Sequence, residues 1–303
     1  MPRARLSNSG VKAKPSALRG AWPANASAGA ALQSGLTLVE LVMTIVIMGI
    51  LAAGTLSFVM TSTETYVDTA TRNQLSAVGR SAILKIDRAI SQAVPNTIRI
   101  KMSADKSEQC FEYLPFKSSA YYTSAPFVAD GAAIEVIHLA TTTGGNYALI
   151  YPMSALEVYA FNNPGPIASV SAATATTITL SNDHRFSSLS PGSRVYYAGP
   201  PVSFCINNNK LYRWQYVPAP TDEGYAFSSS QCLPSDPVGC LPGSAPVRAM
   251  IADGVDNAAD GLEAFEYEIA GLANAGLFRV NLKLSDGIET LLIRHEIQIK
   301  NVQ

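Results

Sequence analysis

Leu36–Thr63 reads LTLVELVMTIVIMGILAAGTLSFVMTST, 28 residues with one charge, Glu40. Coiled as an α-helix, this stretch would extend about 42 Å, whereas about 20 apolar residues already cross the hydrocarbon core of a bilayer. A secretory signal has an apolar region of only about 7–15 residues, followed by a small-residue cleavage site. Here the run is longer, and the residues after it continue a helical pattern. The reading is therefore a membrane-spanning helix over residues 36–63. A plain anchor leaves Glu40 unexplained. A carboxylate within a membrane helix costs about 2.5–3.5 kcal/mol on insertion scales, which makes it a functional residue by default.

Working outward, residues 1–35 carry five bases (Arg3, Arg5, Lys12, Lys14 and Arg19) and no acid. They are rich in Ala, Ser, Gly and Pro without apolar periodicity, and read as a disordered leader. The whole chain has a formal charge of −1, so residues 36–303 carry a net −6. Positive charge stays on the cytoplasmic side, which places the leader inside and the acidic body outside. At 48% hydrophobic and 15% charged residues, the composition excludes low-complexity classes. The near-neutral total offers no electrostatic footprint for nucleic acid.

On the other side of the span, Val67, Leu75, Val78, Ala82, Ile83, Ile86, Ile90 and Val94 recur at three- and four-residue steps until Pro95. Residues 64–94 thus read as an amphipathic stalk helix with one apolar stripe. Arg72, Arg80, Lys85, Asp87 and Arg88 fall largely between the apolar positions. Residues 95–303 read as a β-rich globular domain. Strand-like runs are expected at 97–102, 110–116, 133–139, 147–151, 156–161, 176–180, 194–198, 202–206, 211–216, 262–269, 277–284 and 289–300. Turn signals include Asn207-Asn208-Asn209 and Asp286-Gly287. The fold class expected is α+β: one long N-terminal helix, with a transmembrane half and an amphipathic half, packed on a β-rich domain.

The segment SGLTLVELVMTIVIMGILA resembles the N-terminal signature of type IV pilins and pseudopilins. The resemblance implies a pilin-like fold and cleavage by prepilin peptidase between Gly35 and Leu36. It also implies N-methylation of Leu36, which stands where the family usually has Phe, and places Glu40 fifth in the mature chain. The implied role of Glu40 is to pair with the N-terminal amine of a neighbouring subunit and set register in a helical filament. In the body, PNTIRI (95–100), CFEYLPF (110–116), LEVYAFNNPG (156–165), HRFSSLSPGSRVYY (184–197), PVSFCINNNKLYRW (201–214) and LLIRHEIQIKNVQ (291–303) are similar to minor pilins of the mannose-sensitive haemagglutinin (MSHA) pilus system. Thr221–Pro246 fits that pattern less well. The resemblance implies a role in pilus assembly, initiation or tip structure. Implied partners are prepilin peptidase, other pilins, the inner-membrane assembly platform and the lipid bilayer. The implied location is the inner membrane of a Gram-negative bacterium, body in the periplasm, and then the surface pilus. Two alternatives stand beside it: a minor pseudopilin of a type II secretion system, and a membrane-anchored periplasmic hydrolase or binding protein.

An extracytoplasmic body permits disulfides. Of three possible pairings, the expected one joins Cys110, in one strand, to Cys205, in another. It leaves Cys232 and Cys240 to staple a small loop. A zinc site has no Cys-x-x-Cys or Cys/His cluster to support it. The histidines, His138, His184 and His295, are scattered and read as packed or surface residues. No Gly-x-Ser-x-Gly elbow, His-Glu-x-x-His pair or phosphate-binding Gly loop occurs. The expectation is a non-enzyme without cofactor or resident metal. Asp253, Asp256, Asn257 and Asp260 form an acid-rich turn with oxygen ligands suited to Ca²⁺, although EF-hand spacing fails. The plainer reading of this turn is a solvated loop leading into a strand.

Overall fold

The computed structural model describes residues 37–215, 247–269 and 276–299. The chain forms two units, residues 1–59 and 60–303. Helix α1 (Leu38–Ser91) supplies the described part of the first unit and opens the second. The compact unit that contains the β-rich body therefore begins at Met60 and includes the stalk. Among the described residues the strands that follow, in chain order, are β1 (Arg99–Met102), β2 (Gln109–Tyr113), β3 (Phe116–Ser124), β4 (Gly131–Val136), β5 (Tyr147–Ile150), β6 (Ile167–Ala173), β7 (Thr177–His184), β8 (Arg194–Ala198), β9 (Val202–Asn207), β10 (Lys210–Gln215), β11 (Val247–Asp253), β12 (Phe265–Glu268), β13 (Gly276–Ser285) and β14 (Thr290–Ile299). A short helix, α2 (Ala155–Ala160), lies between β5 and β6. The α+β class is observed.

In the second unit α1 buries Leu75, Gly79, Ala82, Ile83, Ile86, Ala89 and Ile90, the spacing of a single apolar face. That face enters one core with two sheets. One is the five-stranded antiparallel sheet β1-β2-β9-β10-β11, and the other is β12-β13-β14. At the centre, Phe111 stacks on Phe204 at 5.0 Å between ring centroids. Phe265 and Phe278 meet Phe111 edge-on at 4.8 and 4.9 Å. Gly79 lets the helix approach β13 and β14 closely. A Cβ there would stand 2.1 Å from Ile293 Cδ1 and 2.6 Å from Leu284 Cδ1.

Between β2 and β9 the chain leaves the five-stranded sheet and builds a closed barrel, β3-β4-β7-β6-β5-β8. Its interior is filled by residues such as Ile134, Ile150, Ile178, Phe186 and Val195, so it is packed rather than hollow. The chain then returns, and β9 pairs antiparallel with β2 with Cys110 directly opposite Cys205. One side of the barrel wall packs with α2 and the end of the stalk through Val94, Leu114, Leu149, Val158 and Tyr159.

Three expectations need correction. Residues 156–161 form α2 rather than a strand. Ser154 Oγ accepts from the Glu157 N–H at 3.3 Å, and Phe161 closes the helix in the left-handed conformation. The Ser-x-x-Glu spacing of a capping box marks this helix, although six residues are too few for periodicity to tell helix from strand. Strands β3, β6 and β11 had not been anticipated. The stalk helix ends at Ser91, three residues before the expected limit of 94. There the Val94 N–H donates to Leu114 O at 2.9 Å and the Phe116 N–H to Gln92 O at 2.7 Å, so the backbone is already committed to bridging with the body.

Ile86 is fully buried under the two sheets. Ile86→Ala is expected to cost about 2–5 kcal/mol, read as a lowered unfolding midpoint of the detergent-solubilised chain. Leu84→Ala on the exposed face is expected to change stability by no more than about 0.5 kcal/mol.

Candidate functional site

The candidate site is the first turn of α1 and the apolar surface that follows it. Thr37 precedes the helix, and its Oγ1 accepts from the Glu40 N–H at 3.3 Å while its carbonyl accepts from Leu41 N–H at 3.2 Å. Thr37 is thus an N-cap, and Glu40 occupies the third helical position. A carboxylate there is favoured by the unsatisfied amides and the positive end of the helix dipole. Residues 37–59 contain no Lys or Arg to neutralise it. Gly35 and Leu36 lie outside the described residues.

Every residue from 37 to 59 is exposed, Leu38 to 80%, Met48 to 71% and Phe58 to 73%. Large apolar side chains point out in all directions, unlike the one-sided stripe of the second unit. A helix that is apolar all round belongs in lipid or among other apolar helices. Among the described residues, this one helix is long and apolar enough to cross a membrane. Its hydroxyls are prepared for that medium. Thr44 Oγ1 donates to Leu41 O at 2.9 Å and Thr55 Oγ1 to Leu51 O at 2.8 Å, so neither needs water. Gly49 and Gly54 have nothing within 4 Å of where a Cβ would sit.

Elsewhere, a disulfide joins Cys110 and Cys205. Cys232 and Cys240 lie outside the described residues. The acid-rich turn is tied to neighbouring bases. Lys283 Nζ lies 2.7 Å from Asp260 and 4.0 Å from Asp256, and Lys210 lies 3.4 Å from Asp253. The hydrogen bond to Asp260 raises the Lys283 ammonium pKa above its ordinary value. Asn257 is buried, and its amide spans the backbone of β13. It donates to Asn281 O at 2.7 Å and accepts from Lys283 N–H at 3.1 Å. Among the described residues no three His, Cys, Asp or Glu side chains are placed to hold a metal ion.

The histidines are not brought together. His138 is exposed. His295 lies 3.8 Å from Asp87 of the stalk. His184 is buried at the end of β7, its Nε2 3.1 Å from Gly165 O. The sequence reading missed a buried ion pair. Arg99 Nη2 and Nε reach Glu112 Oε1 at 2.6 and 2.9 Å, and the Ser203 hydroxyl donates to the other carboxylate oxygen at 2.9 Å. The Arg99 guanidinium also stacks 3.6 Å over the Tyr159 ring. No spacing signals this group, because its members come from β1, β2, β9 and α2.

Burial lowers the His184 pKa, opposed by the Gly165 carbonyl and Asp130. As pH falls below about 6.5 the unfolded chain binds a proton that the folded chain resists, so stability declines until the folded pKa is passed. The unfolding midpoint should drop between pH 7.5 and pH 5, and His184→Gln should flatten that part of the profile. The disulfide closes a loop with a sequence separation of 95 residues. Replacing both Cys110 and Cys205 by Ala should cost about 2–5 kcal/mol in denaturant unfolding.

Comparison with known proteins gives no relative: no family model matches the sequence, no curated protein matches it, and no solved structure matches the fold.

Proposed function

We propose that this chain is a minor pilin of a type IV pilus system, of the MSHA type. The observation that carries the reading is the start of α1. Thr37-Leu38-Val39-Glu40 caps a helix whose next two dozen residues are apolar on every side, directly after Gly35-Leu36 and a basic leader. The leader holds the N-terminus in the cytoplasm until prepilin peptidase cuts after Gly35. The new amine on Leu36 is N-methylated, and the mature chain stays in the inner membrane with its body in the periplasm. It then enters a helical filament with other pilins through the apolar helix. The chain acts by assembly, in initiation of the pilus or at its tip, and catalyses no reaction.

Electrostatics explains why one carboxylate is kept. A charge in hydrocarbon is costly alone, and a buried pair offsets much of that cost when the opposite charge is close. The mature amine is such a charge. Within one subunit the carboxylate already lies near the helix amides, so the amine of a neighbour is the natural partner, and pairing fixes the axial register.

Intact mass of the membrane-extracted protein should fit a chain beginning at methylated Leu36. A chain retaining residues before Leu36 would refute the reading. Glu40→Val should insert into the membrane normally, while its recovery in sheared surface filaments falls about tenfold or more. Undiminished recovery would remove the role given to Glu40. Loss of enzyme secretion in a deletion strain, with pili intact, would transfer the chain to a type II secretion pseudopilus.

A further inference from the structure

The exposed side of the stalk borders a groove of about 580 Å³ within the second unit. Arg80, Lys85 and Arg88 rise from α1 on one side, and Arg213 reaches in from β10, over a floor that includes Leu84 and Phe204. No acid lines it. No described residue gives Arg80, Lys85 or Arg88 an acidic partner, although the body is acidic in total and pairs bases elsewhere. Leu84, at the centre of the three helix cations, is 68% exposed. Like charges gathered around an exposed apolar residue call for an acidic, partly apolar partner.

The same helix carries such a segment nearer its start. Glu64 and Asp68 are one turn apart, exposed and without a basic partner among the described residues, and Tyr66 and Val67 beside them are exposed to 75% and 51%. The acid-rich turn of the body is a poorer match because its carboxylates are already paired with Lys210 and Lys283. We infer that the groove receives residues 64–68 of a second copy of this chain, lying parallel and displaced along the helix axis. A displacement of about 17 residues, roughly 25 Å, sets Val67 against Leu84, Asp68 against Lys85 and Glu64 beside Arg80.

Two parallel copies at equal height would set acid against acid and base against base. The contact therefore forms only when one copy is raised relative to the other. This rests on the pilin reading, since withdrawal of subunits from a bilayer into a filament supplies the displacement.

The test places a photocrosslinking amino acid at position 84 of the full chain, in cells assembling filaments and expressing two differently tagged copies. The expected product joins position 84 of one tagged copy to residues 60–72 of the other. It should be absent when the purified chain sits in liposomes without the assembly machinery. Arg80→Glu with Lys85→Glu should lower its yield about tenfold, and adding Glu64→Lys with Asp68→Lys should restore it. The neutral pair Arg80→Gln and Lys85→Gln, with thermal unfolding checked, guards against loss of folding and should also lower the yield. Crosslinks to another protein or to another segment, or a yield indifferent to both substitutions, would overturn the inference. Intact mass on the same material separates the two proposals. Cleavage after Gly35 without the crosslink defeats only the docking, whereas the crosslink on an uncleaved chain defeats only the pilin reading.

Discussion

The body depends on one act of burial: the apolar stripe of α1 from Leu75 to Ile90 packed across two sheets at once. At about 25 cal/mol per Å² of apolar surface removed from water, a buried Ile or Leu side chain contributes about 1.5–3 kcal/mol. Leu75, Ile83, Ile86 and Ile90 repeat that contribution along one helix face, while the small residues Gly79, Ala82 and Ala89 fill the rest of it, Gly79 at a point of close approach. The five-stranded sheet and the β12-β13-β14 sheet both turn their inner faces to this stripe, and Phe111, Phe204, Phe265 and Phe278 interlock between them. The first unit obeys the opposite rule. Its described apolar residues, within 38–59, are distributed all round and all exposed, the pattern of a helix suited to lipid or to other apolar helices. One helix thus carries two hydrophobic patterns, and the change from the all-round pattern to the one-sided one marks a change of surroundings.

How much of this the sequence revealed depended on whether the signal was local. Leu36–Thr63 and the stripe beyond it are long periodic signals, and α1 was legible from them to within a few residues. Strands with alternating apolar residues, such as Gly276–Ser285, were legible for the same reason. The turn at Asn208-Asn209 was as well: both residues take positive φ, as a tight hairpin requires. Strand β3 was not legible. FKSSAYYTS has little apolar content, and its alternate burial arises only when β8 and β4 close on either side of it. Strand β6, IASVSAA, relies in the same way on barrel closure. The short α2 was misread because alternation in LEVYAF outweighed the capping serine two residues before it.

The candidate site shows the same division. Glu40 stood out from the sequence because one charge in an apolar run needs no partner to be noticed. Its capping by Thr37 was present in the Thr-x-x-Glu spacing but unread. Arg80, Lys85 and Arg88 were visible in the sequence as charges falling between the apolar positions of the stalk. Arg213 is remote from them in sequence, and only the packing of β10 beneath the stalk brings the four together.

The Cys110–Cys205 bond has a consequence for how this molecule can change. The bonded residues, with Cα atoms 4.1 Å apart on neighbouring strands, lie three residues inward from Tyr113 and Val202, where the barrel's polypeptide leaves and re-enters the sheet. The entire barrel is therefore an excursion with a fastened neck. Load that peels β2 from β9 reaches the Phe111–Phe204 pair first and the covalent bond next, so the bond keeps the two strands together on the far side of that pair. The chain can vary what it displays while conserving how it is held.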